Sequence, residues 1–274
     1  TGPLHLGHAY SAILAHDLAH AKNGQFLLRI EDIDQSRARP TWEAQIYDDL
    51  RWLGLSWPTP AMRQSDRQAA YDAAIGQLHA MGLLYPCACT RRDIAAATSA
   101  PQEGAPLPGP DGLIYPGTCR PDTPPGRLEP GQTLRLNMSR AIQHIDIAEF
   151  TEEGAGPNGE TGTIRATAEA LTDTVGDVLI ARRDMATSYH LSVVVDDAAQ
   201  GITHVVRGRD LFEATQIHVL LQRLLGLPTP KYHHHALIRD DQGKRLAKRD
   251  DARAISRYRD DGATPADIRA LVGL

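Results

Sequence analysis

Gly2-Pro3-Leu4-His5-Leu6-Gly7-His8 stands directly ahead of a helical pattern, and its reading decides the fold. From His8 to Lys22 apolar residues recur at helical spacing (Ala9, Ile13, Leu14, Leu18, Ala21), and Gly24 supplies a stop. Two histidines three apart at a helix N-terminus, with a glycine between them, make a phosphate cradle. Backbone N–H groups point outward there, the helix dipole favours an anion, and each imidazole can donate a hydrogen bond. Gly7 leaves room for a ligand to approach the backbone. Two ordinary helix-capping histidines fit the same letters, so this pattern alone leaves both readings open.

Working outward, Gln25–Ile30 reads as a short buried strand ending in the acidic cluster Glu31-Asp32-Ile33-Asp34. A second helix is predicted from near Thr41, with Trp42, Ile46, Leu50 and Leu53 on one face, and a third from the capping-box pattern Ser65-x-x-Gln68. Helices alternating with short apolar strands imply βαβ units around a parallel sheet. Nine of the 18 prolines then fall between Pro101 and Pro130, a density that forbids a helix. Strands are expected at Thr133–Leu136, Ile142–Ile147 and Val178–Ala181. A helix carrying Tyr189 and Val193, a strand at Ile202–Val206, an amphipathic helix at Glu213–Leu225 and a strand at Ala236–Arg239 follow. The parse is one α/β domain: a first half at 1–85, an insertion at 86–186, a second half at 187–249, and a short helical segment at 250–274.

The chain has 274 residues, 42% of them hydrophobic, the range of a globular protein with a sizeable core. No apolar run approaches the roughly 18 residues of a membrane span, and no secretory signal opens the chain. A net charge of -5 does not advertise a nucleic-acid binder, so any such binding must use a local basic patch. Three cysteines argue against a disulfide framework and for the cytoplasm.

Two further groups carry chemistry. Gly243-Lys244-Arg245-Leu246-Ala247-Lys248-Arg249 is a glycine-led basic loop that can fold over a polyphosphate and neutralise charge on a leaving pyrophosphate, or simply a solvated basic surface. Cys87-x-Cys89 with Cys119 beyond the proline-rich stretch is either three ligands of a metal lacking its fourth, or three buried free thiols. His233-His234-His235 tempts towards a second metal, but adjacent strand residues face opposite ways, so the reading is structural.

Taken together, the motifs resemble the class I aminoacyl-tRNA synthetases. His5-Leu6-Gly7-His8 matches their HIGH signature, and Arg245-Leu246-Ala247-Lys248-Arg249 is a drifted KMSKR. Leu28-Arg29-Ile30-Glu31-Asp32-Ile33-Asp34, Tyr189-His190-Leu191 with Val194-Val195-Asp196-Asp197, and Val206-Arg207-Gly208 look like the glutamyl branch, in its order and along nearly the whole chain. The resemblance implies a Rossmann-type parallel sheet with helices on both faces, split by a zinc-containing insertion. It implies that His5 and His8 stabilise the α-phosphate of ATP, that Gly7 lies under the adenine, and that Lys248 and Arg249 hold the pyrophosphate. Glu31 would take the ammonium group of L-glutamate, while Tyr189 and Arg207 face that substrate; outside the family context, Glu31 could be a surface acid and Arg207 a strand-end ion pair. One structural zinc would sit on Cys87, Cys89 and Cys119 with Tyr115 of Tyr115-Pro116-Gly117-Thr118-Cys119 as fourth ligand. ATP would arrive with Mg2+.

Arg245 and Ala247 depart from the loop signature, and the family's strand before Thr-Gly would precede residue 1. Only 25 residues follow Arg249, with no helical anticodon-binding domain, and Arg207-Gly208-Arg209-Asp210-Leu211 is similar to the R-G-x-D-L of the stand-alone glutamyl-queuosine group. By that resemblance the partner is tRNA(Asp) bearing queuosine, and the protein is a monomer with no membrane association. Arg249, Arg253, Arg257 and Arg259 supply basic residues that would contact phosphates or form a solvated helix face. A catalytic fragment of a glutamyl-tRNA synthetase and a non-catalytic nucleotide- or tRNA-binding module are the rival expectations.

Overall fold

The computed structural model describes residues 2–98, 108–145, 147–238 and 253–274. The first unit is α1 (Leu6–Ala21), β1 (Arg29–Ile30), α2 (Pro40–Trp52), β2 (Met62–Arg63) and α3 (Gln68–Ala80). α1 stops where Asn23 enters the left-handed region at φ 53° and the Gly24 N–H closes on the Ala19 carbonyl at 2.8 Å, so asparagine and glycine end it together. Of the predicted strand Gln25–Ile30 only Arg29 and Ile30 pair, in parallel, with Met62 and Arg63. The predicted capping box at Ser65 and Gln68 does not form: a 3-10 turn over Gln64–Arg67 leads into α3, and the Ser65 N–H bonds to Asp32 at 2.8 Å instead.

The middle of the chain holds β3 (Leu84–Pro86), α4 (Arg91–Thr98), the hairpin β4 (Pro108–Gly109) and β5 (Gly112–Leu113), β6 (Leu134–Leu136), α5 (Met138–Ala141), β7 (Ala148–Glu152), β8 (Gly162–Ala166), α6 (Ala168–Ala170) and β9 (Leu179–Ala181). β3, β6 and β9 form an antiparallel sheet. The predicted strand Ile142–Ile147 is a 3-10 turn at Ile142–His144, because Asn137 caps α5 and the turn runs on from it; the strand begins only at Ala148.

The last unit is α7 (Tyr189–Ala199), β10 (His204–Gly208), α8 (Thr215–Leu225), β11 (Lys231–His235), α9 (Ile255–Asp260) and α10 (Pro265–Val272). The predicted strand Ala236–Arg239 is displaced: pairing stops at His235, and Arg239 lies outside the described residues. Strand order in the principal sheet is β10-β11-β7-β8, parallel except for the antiparallel β7–β8 hairpin. The sheets are therefore mixed where the sequence predicts a parallel one. β7 joins β11 through Tyr232 opposite Glu152, so part of the stretch read as an insertion at 86–186 extends the sheet of the second half.

α7 and α8 cover the sheet with Leu191, Val193, Val194, Ile217, Leu220 and Leu221, all buried with Phe150 and Tyr232. A second cluster clamps α1 between the end of α2 and the last two helices: Leu6, Ala9 and Ile13 meet Leu50, Leu53, Ile255, Ile268 and Val272. Burial of such aliphatic side chains contributes roughly 1.5–3 kcal/mol each.

Asp49 sits inside this packing on α2, 0% exposed, with neither carboxylate oxygen hydrogen-bonded. Burial pushes its carboxyl up to about 6, with Asp48 adding to the rise and Arg259 opposing it. The folded state thus holds a proton that the unfolded chain releases, so stability falls as pH rises from about 4 towards 6. Asp49→Asn is expected to stabilise the protein by about 2 kcal/mol at pH 8 and to be neutral below pH ~4. Urea titrations at the two pH values measure the difference.

Candidate active site

A cavity of about 1250 Å³ opens beside α1, lined among others by His5, His8, Glu31, Asp32, Asp197 and His233. Pockets for drug-sized ligands run to roughly 1,000 Å³, so this cavity has room for a ligand of that size.

His5 is the N-cap of α1, with extended backbone. Its Nδ1 accepts the Gly7 N–H at 3.1 Å, and the Nδ1 of His8 accepts the His5 N–H at 3.1 Å. This is a capping box built from two imidazoles. Because each Nδ1 is an acceptor, each neutral ring carries its proton on Nε2. The two rings lie 3.9 Å apart at the positive end of the helix dipole. Gly7 contributes the amide that His5 captures and is not among the cavity walls.

Across the cavity, Glu31 accepts from Arg29 Nη2 at 3.1 Å with its side chain 44% exposed. The same guanidinium donates to Asp197 at 2.7 Å and to Gln200 at 3.1 Å. Burial raises the Asp197 carboxyl above the usual range, and Arg29 opposes the rise. Arg29 itself, although burial works against its charge, is held protonated by Asp197 and Glu31. Sequence reasoning passed over Arg29 as a member of the site; its only signal was an arginine two residues before Glu31 in an apolar strand.

Arg207 and Tyr189 are not among the cavity walls, although Val205 and Val206 of the same strand are. The Tyr189 phenol is raised by burial, lowered by Arg207 and raised by Glu31, which ties it electrically to both sides. Arg207 bonds to His234 Nε2 (3.1 Å), His218 Nδ1 (3.1 Å), the Leu211 carbonyl (3.3 Å) and Thr215 Oγ1 (2.7 Å). His235 faces the other way, its Nε2 2.6 Å from Ser11 Oγ on α1. The histidine triplet therefore alternates, as expected, and none of it groups with other ligands as a metal site among the described residues.

Lys248 and Arg249 lie outside the described residues. The flanks of their segment are both anchored on the start of α1: His235 through Ser11, and Ala254 through a β-bridge to His5, with the Ile255 N–H on the Leu4 carbonyl at 2.9 Å.

The cysteines do converge. The sulfurs of Cys87, Cys89 and Cys119 lie within 4.8 Å of one another. Tyr115 Oη is 3.5 Å from Cys87 Sγ and 3.4 Å from Cys89 Sγ, and accepts the Cys119 N–H at 2.8 Å. A tetrahedral zinc with bonds of roughly 2.3 Å to sulfur and 2.0 Å to oxygen sets sulfur and oxygen about 3.5 Å apart and two sulfurs about 3.8 Å apart. The three thiols are grouped as metal ligands would be, and Tyr115 Oη stands at the sulfur–oxygen spacing, its phenol raised by burial and by the neighbouring thiols. Tyr115 holds the Cys119 thiol down to about 7, burial resisting, and burial raises Cys89. Arg135, unnoticed in the sequence, lies 3.9 Å over the Tyr115 ring and donates to Cys87 at 3.4 Å, a buried cation beside the group.

The chain belongs to the class I tRNA synthetases of the E and Q type: the family's catalytic-domain model matches residues 1–106 and 159–274. A glutamyl-Q tRNA(Asp) synthetase of Rhodobacter capsulatus is 62% identical over all of this chain and 97% of that relative. One of Symbiobacterium thermophilum is 40% identical over 98% of this chain and 81% of its own length. Among solved structures, a glutamate tRNA ligase from Elizabethkingia meningosepticum, in complex with its amino acid, matches with a TM-score of 0.74 and 26% identity. It covers 99% of this chain, which spans 58% of the ligase. No helix among the described residues is long and apolar enough to cross a membrane.

His5→Ala, which removes the acceptor at the first turn, is expected to cost about 1 kcal/mol in urea unfolding. His5→Asn, whose short amide also caps, is expected to restore most of it.

Proposed function

We propose that this chain activates L-glutamate with ATP, independently of tRNA, and transfers the glutamyl group to the queuosine base in the anticodon of tRNA(Asp). The observation that carries the reading is the 62% identity along the entire chain to a relative named glutamyl-Q tRNA(Asp) synthetase. In the first step a carboxylate oxygen of glutamate attacks the α-phosphorus of ATP; that O–P bond forms as the P–O bond to pyrophosphate breaks. No protein nucleophile is needed, so catalysis is positioning and charge stabilisation. His5 and His8 direct their Nε2–H donors at the α-phosphate, Gly7 orients the His5 ring through its amide, and Lys248 with Arg249 neutralises the departing pyrophosphate, Mg2+ accompanying the nucleotide. Glu31 receives the ammonium group of glutamate; Tyr189 and Arg207, which lie behind the Val205–Val206 wall of the cavity, face the substrate from there, Arg207 pairing with a carboxylate as a planar guanidinium can.

One zinc on Cys87, Cys89, Cys119 and Tyr115 is structural, tying the segment between β3 and β6 to the sheet. The protein works as a cytoplasmic monomer. Chelation under mildly denaturing conditions is expected to release one zinc per chain, read by metal analysis, together with a lowered Tm.

With labelled glutamate and ATP, the expected outcome is alkali-labile label on tRNA(Asp) that disappears when queuosine is absent. Label on the 3′ end of tRNA(Glu) instead would identify a translational glutamyl-tRNA synthetase core. ATP binding without label on either RNA would leave a binding module.

A further inference from the structure

Arg207 is the hub of a buried network that reaches two distant carboxylates. An arginine offers five N–H donors and no acceptor. Here one at Nε goes to His234, one at Nη1 to His218, and two at Nη2 to the Leu211 carbonyl and Thr215. These bonds dictate tautomers. His234 must accept at Nε2, so its proton is on Nδ1, which faces Glu152 Oε2 at 2.6 Å. His218 must accept at Nδ1, so its Nε2 carries the proton and faces His190 Nδ1 at 3.1 Å. His190 in turn points Nε2 at Asp111 Oδ1, 3.3 Å away. Burial lowers the pKa of both His218 and His234, consistent with neutral rings.

Glu152 is 1% exposed and fully employed: Oε1 accepts the Gly154 and His234 backbone N–H groups at 2.8 and 2.9 Å, leaving Oε2 for the imidazole. Gly154 makes this closure possible, since a Cβ there would collide with the His234 carbonyl. Glu152 and Asp111 both belong to residues 107–158, the stretch outside the family model's match.

We propose that Glu152 and His234, with His218 on the opposite side, are positioning residues for Arg207, and that this relay sets the affinity for the amino-acid substrate. The proposal rests on the glutamate reading above for its kinetic consequence, but not for its proton positions. Arg207 also hydrogen-bonds the Tyr189 phenol, so these partners together hold the guanidinium in one orientation beside that ring. A guanidinium free to rotate would lose that preorganisation.

The isosteric variant Glu152→Gln tests this. Two backbone N–H groups at Oε1 fix the new amide oxygen there, so its NH2 faces His234 Nδ1. A donor at that place forces the His234 proton to Nε2, against Arg207 Nε–H. In 15N-histidine NMR, the wild type at neutral pH is expected to show neutral His234 protonated on Nδ1 and neutral His218 protonated on Nε2. Glu152→Gln is expected to move the His234 proton to Nε2. In glutamate-dependent ATP–pyrophosphate exchange, Glu152→Gln and His234→Leu are expected to raise the KM for glutamate about 10-fold or more, with the KM for ATP nearly unchanged. His234→Gln, which can present an oxygen near the Nε2 position, is expected to recover most of the loss. A cationic or Nε2-protonated His234 in the wild type, or an unchanged glutamate KM in Glu152→Gln, overturns the relay. A wild type without glutamate-dependent exchange overturns the substrate reading and the KM claim, and the NMR result then decides the relay by itself.

Discussion

The first turn of α1 leaves backbone N–H groups without helical partners, and everything at the candidate site is arranged around how they are satisfied. Imidazole nitrogens do it: His5 takes the Gly7 amide, and His8 takes the amide of His5. A serine or aspartate could cap as well, but would present no second N–H. The capping bonds at Nδ1 place the proton of each neutral ring on Nε2, so helix capping also sets the tautomers of His5 and His8. The rest of the fold keeps that turn in place. Leu6, Ala9 and Ile13 are buried against helices from both ends of the sequence, and Ser11 and Leu4 hold the flanks of the 239–252 segment to the same helix.

Around this turn the charges are arranged in pairs that share a cation. Arg29 serves Glu31 and Asp197; Arg207 serves two histidines that lead to Glu152 and Asp111. An arginine in each place matters because its donors form a rigid planar fork, so one side chain orients several acceptors at once. The cysteine group repeats the pattern with Arg135 over Tyr115, and Asp177 secures its surroundings by accepting from Tyr85, Arg120 and the Met138 amide. Most buried polar groups of this kind are hydrogen-bonded; Arg29 Nε and the Asp49 carboxylate are exceptions.

Much of the site was legible in the chain because its parts are short and locally spaced. His5, Gly7 and His8 act within one helical turn, and Cys87 and Cys89 within one strand end. Strand limits were less legible. Gln25–Ile30 is apolar at four of its six positions, but only two of its residues find a partner. Ile142–Ile147 has strand-like composition, but the Asn137 cap draws its first residues into a turn. The triplet His233-His234-His235 was read as structural from strand alternation, and the alternation holds. Its middle member nonetheless grips Arg207, a connection that alternation alone could not reveal.

The sequence by itself determined what depends on near neighbours: the stop of α1 at Asn23 and Gly24, the two histidines of the first turn, the cysteine spacing, and membership of a synthetase family through motifs in order. Tertiary structure decided which distant residues complete those motifs. Glu152 and His234 are 82 positions apart, and Arg29 and Asp197 are 168 apart. Such pairs carry no periodic or positional signature. They exist because β7 lies alongside β11 and α7 returns to β1, and strand pairing over those distances is set by the cooperative burial of the whole core rather than by any local run of residues.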